Sequence, residues 1–230
     1  LYESKESTGE VSFNDVLEGK DISGVSKLSL EDLASIIVRG GWPASIEVKN
    51  SAKYRFAKEY VKSLIHEEVK KVDSVERNPE KMQNVLRSLA RNISTSVSNS
   101  TIEGDVKNNF DDDISRPTLT DYLNTLEKLF VIENVNATNL NFRSKYALRT
   151  KSKKYFVDPS IATAILEITP NDLIMDLNTF GFMFESLCMR DLKIYTQSYG
   201  GDITFYRDEK DFEVDAIFRT SSGKWGAIEI

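Results

Sequence analysis

The closing run of the chain, FYRDEKDFEVDAIFRTSSGKWGAIEI, sets the tightest limit on how it folds. Two β-like runs flank a Ser-Ser-Gly turn, which is a hairpin signal, and both carry acids among apolar residues. Glu213 and Asp215 lie in the first run and Glu229 in the second. A carboxylate inside a strand is costly unless a positive group or a hydrogen-bond donor meets it. Strict alternation sends Glu213, Asp215 and Ile217 to one face and Val214, Ala216 and Phe218 to the other. In KWGAIEI, Ala227 and Glu229 share a face, so pairing across the turn is expected to bring Asp215 close to Glu229. Glu185 stands in the helical run TFGFMFESLCMRDLKIYTQS, one turn from Gly181, Phe182, Cys188 and Met189, on a mostly apolar flank. Two readings stay open. The strand acids are solvent-facing and paired with Arg207 or Lys224, or the carboxylates converge and hold Mg²⁺. That hard cation prefers oxygen ligands, activates water and steadies a phosphodiester transition state.

Upstream, the pattern is helical and then mixed. Residues 1–28 alternate weakly and read as strand and loop. SLEDLASIIVRGGWPAS is a helix capped by Ser29 and Asp32, with Leu33, Ile36 and Ile37 in one stripe and Gly40, Gly41 and Pro43 as its stop. A longer helix starts near Ser51, carries Phe56, Tyr60 and Leu64, and ends in a charged linker. Asn78-Pro79 opens the next helix, and NSTIEGDVKNNF is a short one. ISRPTLTDYLNTLEKLF has a stripe of Leu119, Tyr122, Leu123, Leu126 and Phe130. A β-rich run follows. After Asp158-Pro159 come a short helix, a long helix and three strands.

This order gives an α/β fold of three parts. Residues 1–75 are a stub of an upstream module plus a helical connector, residues 76–155 a winged-helix-like domain, and residues 156–230 a C-terminal α/β domain. In such a middle domain the third helix would present Arg116 and Thr118 to nucleic acid. The hairpin would grip phosphate with Arg143, Lys145, Arg149, Lys151, Lys153 and Lys154. Asp111, Asp112 and Asp113 oppose that reading, as does the net charge of −6.

Composition removes several classes. One cysteine excludes an internal disulfide framework and points to a reducing cytoplasm. One histidine, His66, argues against zinc catalysis and a Ser-His-Asp triad. No apolar run approaches the roughly 18 residues of a membrane span. The start at Leu1 and the stop at Ile230 suggest a piece of something longer.

The blocks LYESKESTGEVSF, GGWPAS, KKYFVDPSIATAIL, FGFMFESL and YRDEKDFEVDAIF…WGAIEI together resemble the uncharacterised C-terminal region of bacterial and archaeal AAA-type ATPases. The resemblance covers nearly the whole chain. It implies a C-terminal fold similar to the PD-(D/E)XK nucleases, which are restriction-endonuclease-like, with Glu185 as the helical acid, Asp215 as the central acid and Glu229 as the acid of the E-x-K element. The lysine of that element would follow Ile230. The chain has no G-x-x-x-x-G-K-[ST] loop, so ATP binding is expected in the upstream module. Two functions follow: Mg²⁺-dependent phosphodiester hydrolysis, or an inactive nuclease-fold module that docks DNA or a protein partner and regulates the ATPase. Convergent carboxyl groups favour the first. An Arg or Lys in the space between them favours the second.

Overall fold

A computed structural model of the chain describes residues 1–72, 75–110, 113–138, 150–210 and 212–230. Its helices and mixed sheets place it in the general α/β class. Among the described residues no helix is long and apolar enough to cross a membrane.

No strand forms in residues 1–28; the segment instead contains a short helix, α1 (Phe13–Leu17), capped by Ser12. Its alternation is too weak, and Gly9 and Gly19 with positive φ interrupt it. Helix α2 (Leu30–Arg39) starts where expected, because Ser29 and Asp32 satisfy each other's backbone N–H groups. It buries Ala34, Ile36, Ile37 and Val38 and ends at Gly40. Short α3 (Pro43–Ile46) and a 3₁₀ turn lead to α4 (Arg55–Ser63), a π-turn (Leu64–Glu68) and α5 (Val69–Lys71).

Asn78 accepts from the backbone N–H groups of Glu80 and Lys81 and so caps α6 (Pro79–Arg91). Helix α7 (Asn99–Phe110) contributes Ile102 and Val106 to the core. Helix α8 (Arg116–Lys128) buries Leu119, Tyr122, Leu123 and Leu126. Phe130 leaves that stripe: it lies past the helix end at φ 54° and is 79% exposed. Strand β1 (Ile132–Val135) pairs antiparallel with β3 (Lys153–Phe156), and Thr95 bridges to Lys154 on the other side of β3. Between them lies the two-residue β2 (Ala137–Thr138).

Helices α9 (Pro159–Ile165), α10 (Pro170–Met175) and α11 (Leu177–Ser198) precede strands β4 (Asp202–Arg207), β5 (Glu213–Arg219) and β6 (Trp225–Ile228). The sheet order is β2-β4-β5-β6, antiparallel except for β2 against β4. One apolar cluster runs from Ala34 of α2 through α6 and α8 to Leu187 of α11, and a second joins Val135, Tyr155 and Met189 to Phe205, Ala216 and Phe218.

Asp158 joins distant parts of the first cluster. Its carboxylate accepts from Ser160 N at the start of α9, from Gly41 N at 2.9 Å and from Arg190 of α11 at 2.7 Å. Trp42 Nε1 donates to Ser160 Oγ at 2.9 Å beside it. This approach needs a glycine. Gly40 has φ 76° and ψ −177°, and an added Cβ would lie 2.2 Å from Ser160 Oγ and 2.7 Å from Asp158 Oδ1. Gly40→Ala combines a backbone region that is costly for any L-residue with a clash against bonded groups. We expect a loss of about 2 kcal/mol or more in urea denaturation, with the helical content of the refolded protein unchanged.

Candidate functional site

Strand β3 supplies the cation of the site. All four of its residues are buried. Alternation turns Lys153 and Tyr155 to one side and Lys154 and Phe156 to the other, so the strand serves both apolar clusters. Lys153 Nζ donates to Glu185 Oε1 at 3.0 Å and lies 2.6 Å from Glu213 Oε1 and 3.5 Å from Asp215 Oδ1. The Phe205 ring faces the same ammonium, 5.5 Å from its centroid. Tyr155 donates its hydroxyl proton to Glu185 Oε1 at 2.6 Å.

The acids reach this point by two routes. Glu185 sits at mid-length on α11, whose neighbours Met183 and Leu187 fix the helix in the core. On β5 the pairing with β4 shifts: from Thr204 to Tyr206, two steps on β4 oppose three on β5, Ile217 to Val214. This bulge breaks the strict alternation expected from sequence. Asp215 therefore approaches Lys153 beside Phe205, on the side where Ala216 and Phe218 also pack. Glu213 is held further by Arg207 at 3.6 Å, the pairing expected for it.

Glu229 does not join. The register Ala216↔Ile228 sets position 229 opposite Asp215, yet the Glu229 side chain is exposed. The donor to Asp215 Oδ2 is instead the backbone N–H of Ile230, at 2.9 Å. Glu229 faces an open, mostly apolar groove of about 910 Å³ between residues 1–28 and α11.

The electrostatics follow from three carboxylates sharing one ammonium. Burial alone depresses Lys153, but the hydrogen bond to Glu213 and the charge of Glu185 outweigh it and hold the ammonium above the usual lysine value. Burial raises the Glu185 carboxyl, against the lowering pull of Tyr155 and Lys153. The two directions are consistent, because one cation is oversupplied with anions while the deepest carboxylate bears the desolvation. Burial pushes the Cys188 thiol up to about 12, which disfavours its thiolate form.

A divalent ion bound by these acids would need the point that the Lys153 ammonium holds. With that point taken and Glu229 turned away, the residues as arranged do not fit Mg²⁺. Among the described residues no group of three or more His, Cys, Asp and Glu side chains is placed to hold a metal ion.

The residues expected to touch nucleic acid separate. Arg143, Lys145 and Arg149 lie outside the described residues. Arg116 and Lys151 are exposed, and Thr118 is half-buried against Ser115 Oγ at 2.8 Å. Lys153 and Lys154 are corrected: they are only 4% and 9% exposed, and so unavailable to phosphate. Lys154 donates to Asn134 Oδ1 at 2.9 Å, and burial lowers its pKa despite the charge of Glu127. The functional reading from sequence missed Lys153 as the partner of the acids. The available signal was KKYF itself, a strand with a lysine and a tyrosine two apart, in a chain where only Arg207 and Lys224 had been set against the strand acids.

The chain belongs to the family described as a domain of unknown function, DUF8612, whose model matches residues 30–172. No curated protein and no solved structure matches it.

Lys153→Met leaves buried carboxylates without their cation. It is expected to cost about 3–5 kcal/mol in denaturant unfolding. Adding Glu185→Gln and Asp215→Asn to that variant should recover part of the loss. Because the folded-state pKa of Glu185 is raised, the native state binds its proton more tightly than the unfolded chain does. The Glu185 contribution to stability therefore falls as pH rises from about 4.5 towards neutrality. In melting curves over that range, Glu185→Gln should gain stability relative to the wild type as pH increases.

Proposed function

We propose that this chain is a non-catalytic docking and regulatory module, belonging to a larger AAA-type ATPase whose nucleotide site lies outside it. In this reading the C-terminal α/β part is nuclease-like in build, with its acids held by an internal lysine, and the three helices and hairpin of the middle part are winged-helix-like. Its role is to hold DNA or a protein partner. The observation that carries the reading is Lys153, whose ammonium lies within 3.5 Å of Glu185, Glu213 and Asp215. An internal cation at that point supplies the compensation that a buried acid cluster requires.

A second reading is Mg²⁺-dependent phosphodiester hydrolysis. It is favoured by the approach of Glu185 from a helix and Asp215 from a hairpin to one lysine, since a nuclease site of the resembled kind uses two such acids with a lysine. Under it, Lys153 would give up its contacts when the metal binds.

A cleavage assay on full-length protein with Mg²⁺ or Mn²⁺ separates the two, using single-stranded, duplex and branched DNA. The docking reading expects no metal-dependent cutting above that of an Asp215→Ala control. Cutting that Asp215→Ala abolishes would replace it with the hydrolytic reading.

A further inference from the structure

The helical run from Arg55 to Lys71 contains a defect that straightens one of its faces. In an α-helix of 3.6 residues per turn, residues four apart drift by about 40° per step, so a column of them winds about 120° over twelve residues. Here the π-turn at Leu64–Glu68 interrupts α4 and α5. Its wider turn takes more residues and rotates the column back. Burial records the result: Ala57, Val61, Ile65 and Val69, each four apart, are all buried.

The column one residue further on is Lys58, Lys62, His66 and Lys70, and all four are exposed. The row contains no acid. Lys58, Lys62 and Lys70 make no ion pair within 4.0 Å among the described residues. Glu59 and Glu67 belong to the adjacent column with Arg55 and Ser63; each stands three residues before a lysine of the row, and neither makes an ion pair with it within 4.0 Å among the described residues. Within the row Lys58 and Lys62, like charges four apart, repel by a few tenths of a kcal/mol, and the neighbouring Glu59 and Glu67 offset that by a similar amount, so the row adds little to the helix itself.

We propose that this row is a track for the phosphate backbone of nucleic acid. The proposal rests on the docking reading and names its partner, but it does not depend on whether the carboxylate cluster is catalytic. The three ammonium groups of Lys58, Lys62 and Lys70 are about 6 Å and then about 12 Å apart along the axis, about 18 Å in all, and that line matches a linear polyanion. An anionic membrane is a poorer fit, because no large apolar side chain of residues 55–70 is exposed to enter it. The contact is local, on a chain whose net charge is −6, and so carries a marked salt dependence.

The test is fluorescence anisotropy of the full chain with a labelled 20-nucleotide single strand and the matching duplex, from 50 to 200 mM NaCl. Three phosphate contacts contribute about −2 to the slope of log K against log salt for a single strand and about −2.7 for duplex. The variant K58Q/K62Q/K70Q should bind at least about tenfold more weakly at 50 mM and with a slope shallower by that amount. Its circular-dichroism melt should match the wild type, since the three side chains are exposed. The control R116Q/K151Q should retain the wild-type affinity. An unchanged triple variant overturns the track, and if the control loses binding instead, nucleic-acid docking survives on another face. No binding by the wild type, or binding to phosphatidylserine vesicles without binding to oligonucleotides, also overturns it. A protein partner captured by such a chain would keep the docking reading alone.

Discussion

The structure depends on a four-residue strand that is buried on both faces yet carries two ammonium groups. Lys153 and Tyr155 point into the C-terminal acids, while Lys154 answers Asn134 and Phe156 enters the helical core. Neither cation could remain in such a strand without acceptors on both sides. β3 therefore binds the helices to the C-terminal sheet by charge as well as by apolar contact. It pairs with β1 and with Thr95, so its backbone is satisfied too.

The acid cluster has the opposite requirement and meets it at the same point. Glu185, Glu213 and Asp215 lie on elements that would otherwise repel one another at short range, and the β5 bulge directs Asp215 inward rather than out to solvent. Such an arrangement gives little net stability, because desolvating four charges offsets most of their attraction. What it enforces is specificity: a shift of β5 by one residue would turn Glu213 and Asp215 away from Lys153 and leave Glu185 alone with it.

Much of this was legible in the sequence, and the failures have physical reasons. The helix starts at Ser29 and Asn78 and the Ser-Ser-Gly hairpin were readable because caps and turns are local chemistry. The burial of Lys153 was not, because a basic residue in a hairpin reads as surface until its distant carboxylates are placed. The inward turn of Asp215 depends on a bulge, and a bulge is a property of two paired strands, not of one. Glu229 illustrates the limit from the other side. Register sets it opposite Asp215, but the backbone of the next residue makes the bond. The π-turn left a trace that periodicity can show, since apolar residues from Ala57 to Val69 repeat every four rather than drifting.

The Asp158 node has a consequence for the order in which the chain is completed. Gly41, Asp158 and Arg190 are far apart in sequence, and the carboxylate that joins them is made long after the glycine. At a synthesis rate of about 5–20 residues per second, the end of α2 emerges roughly 6–25 s before its acceptor does. Through that interval the ring of Trp42 can meet Tyr60, but its indole N–H has no Ser160 to bond until the second half of the protein arrives.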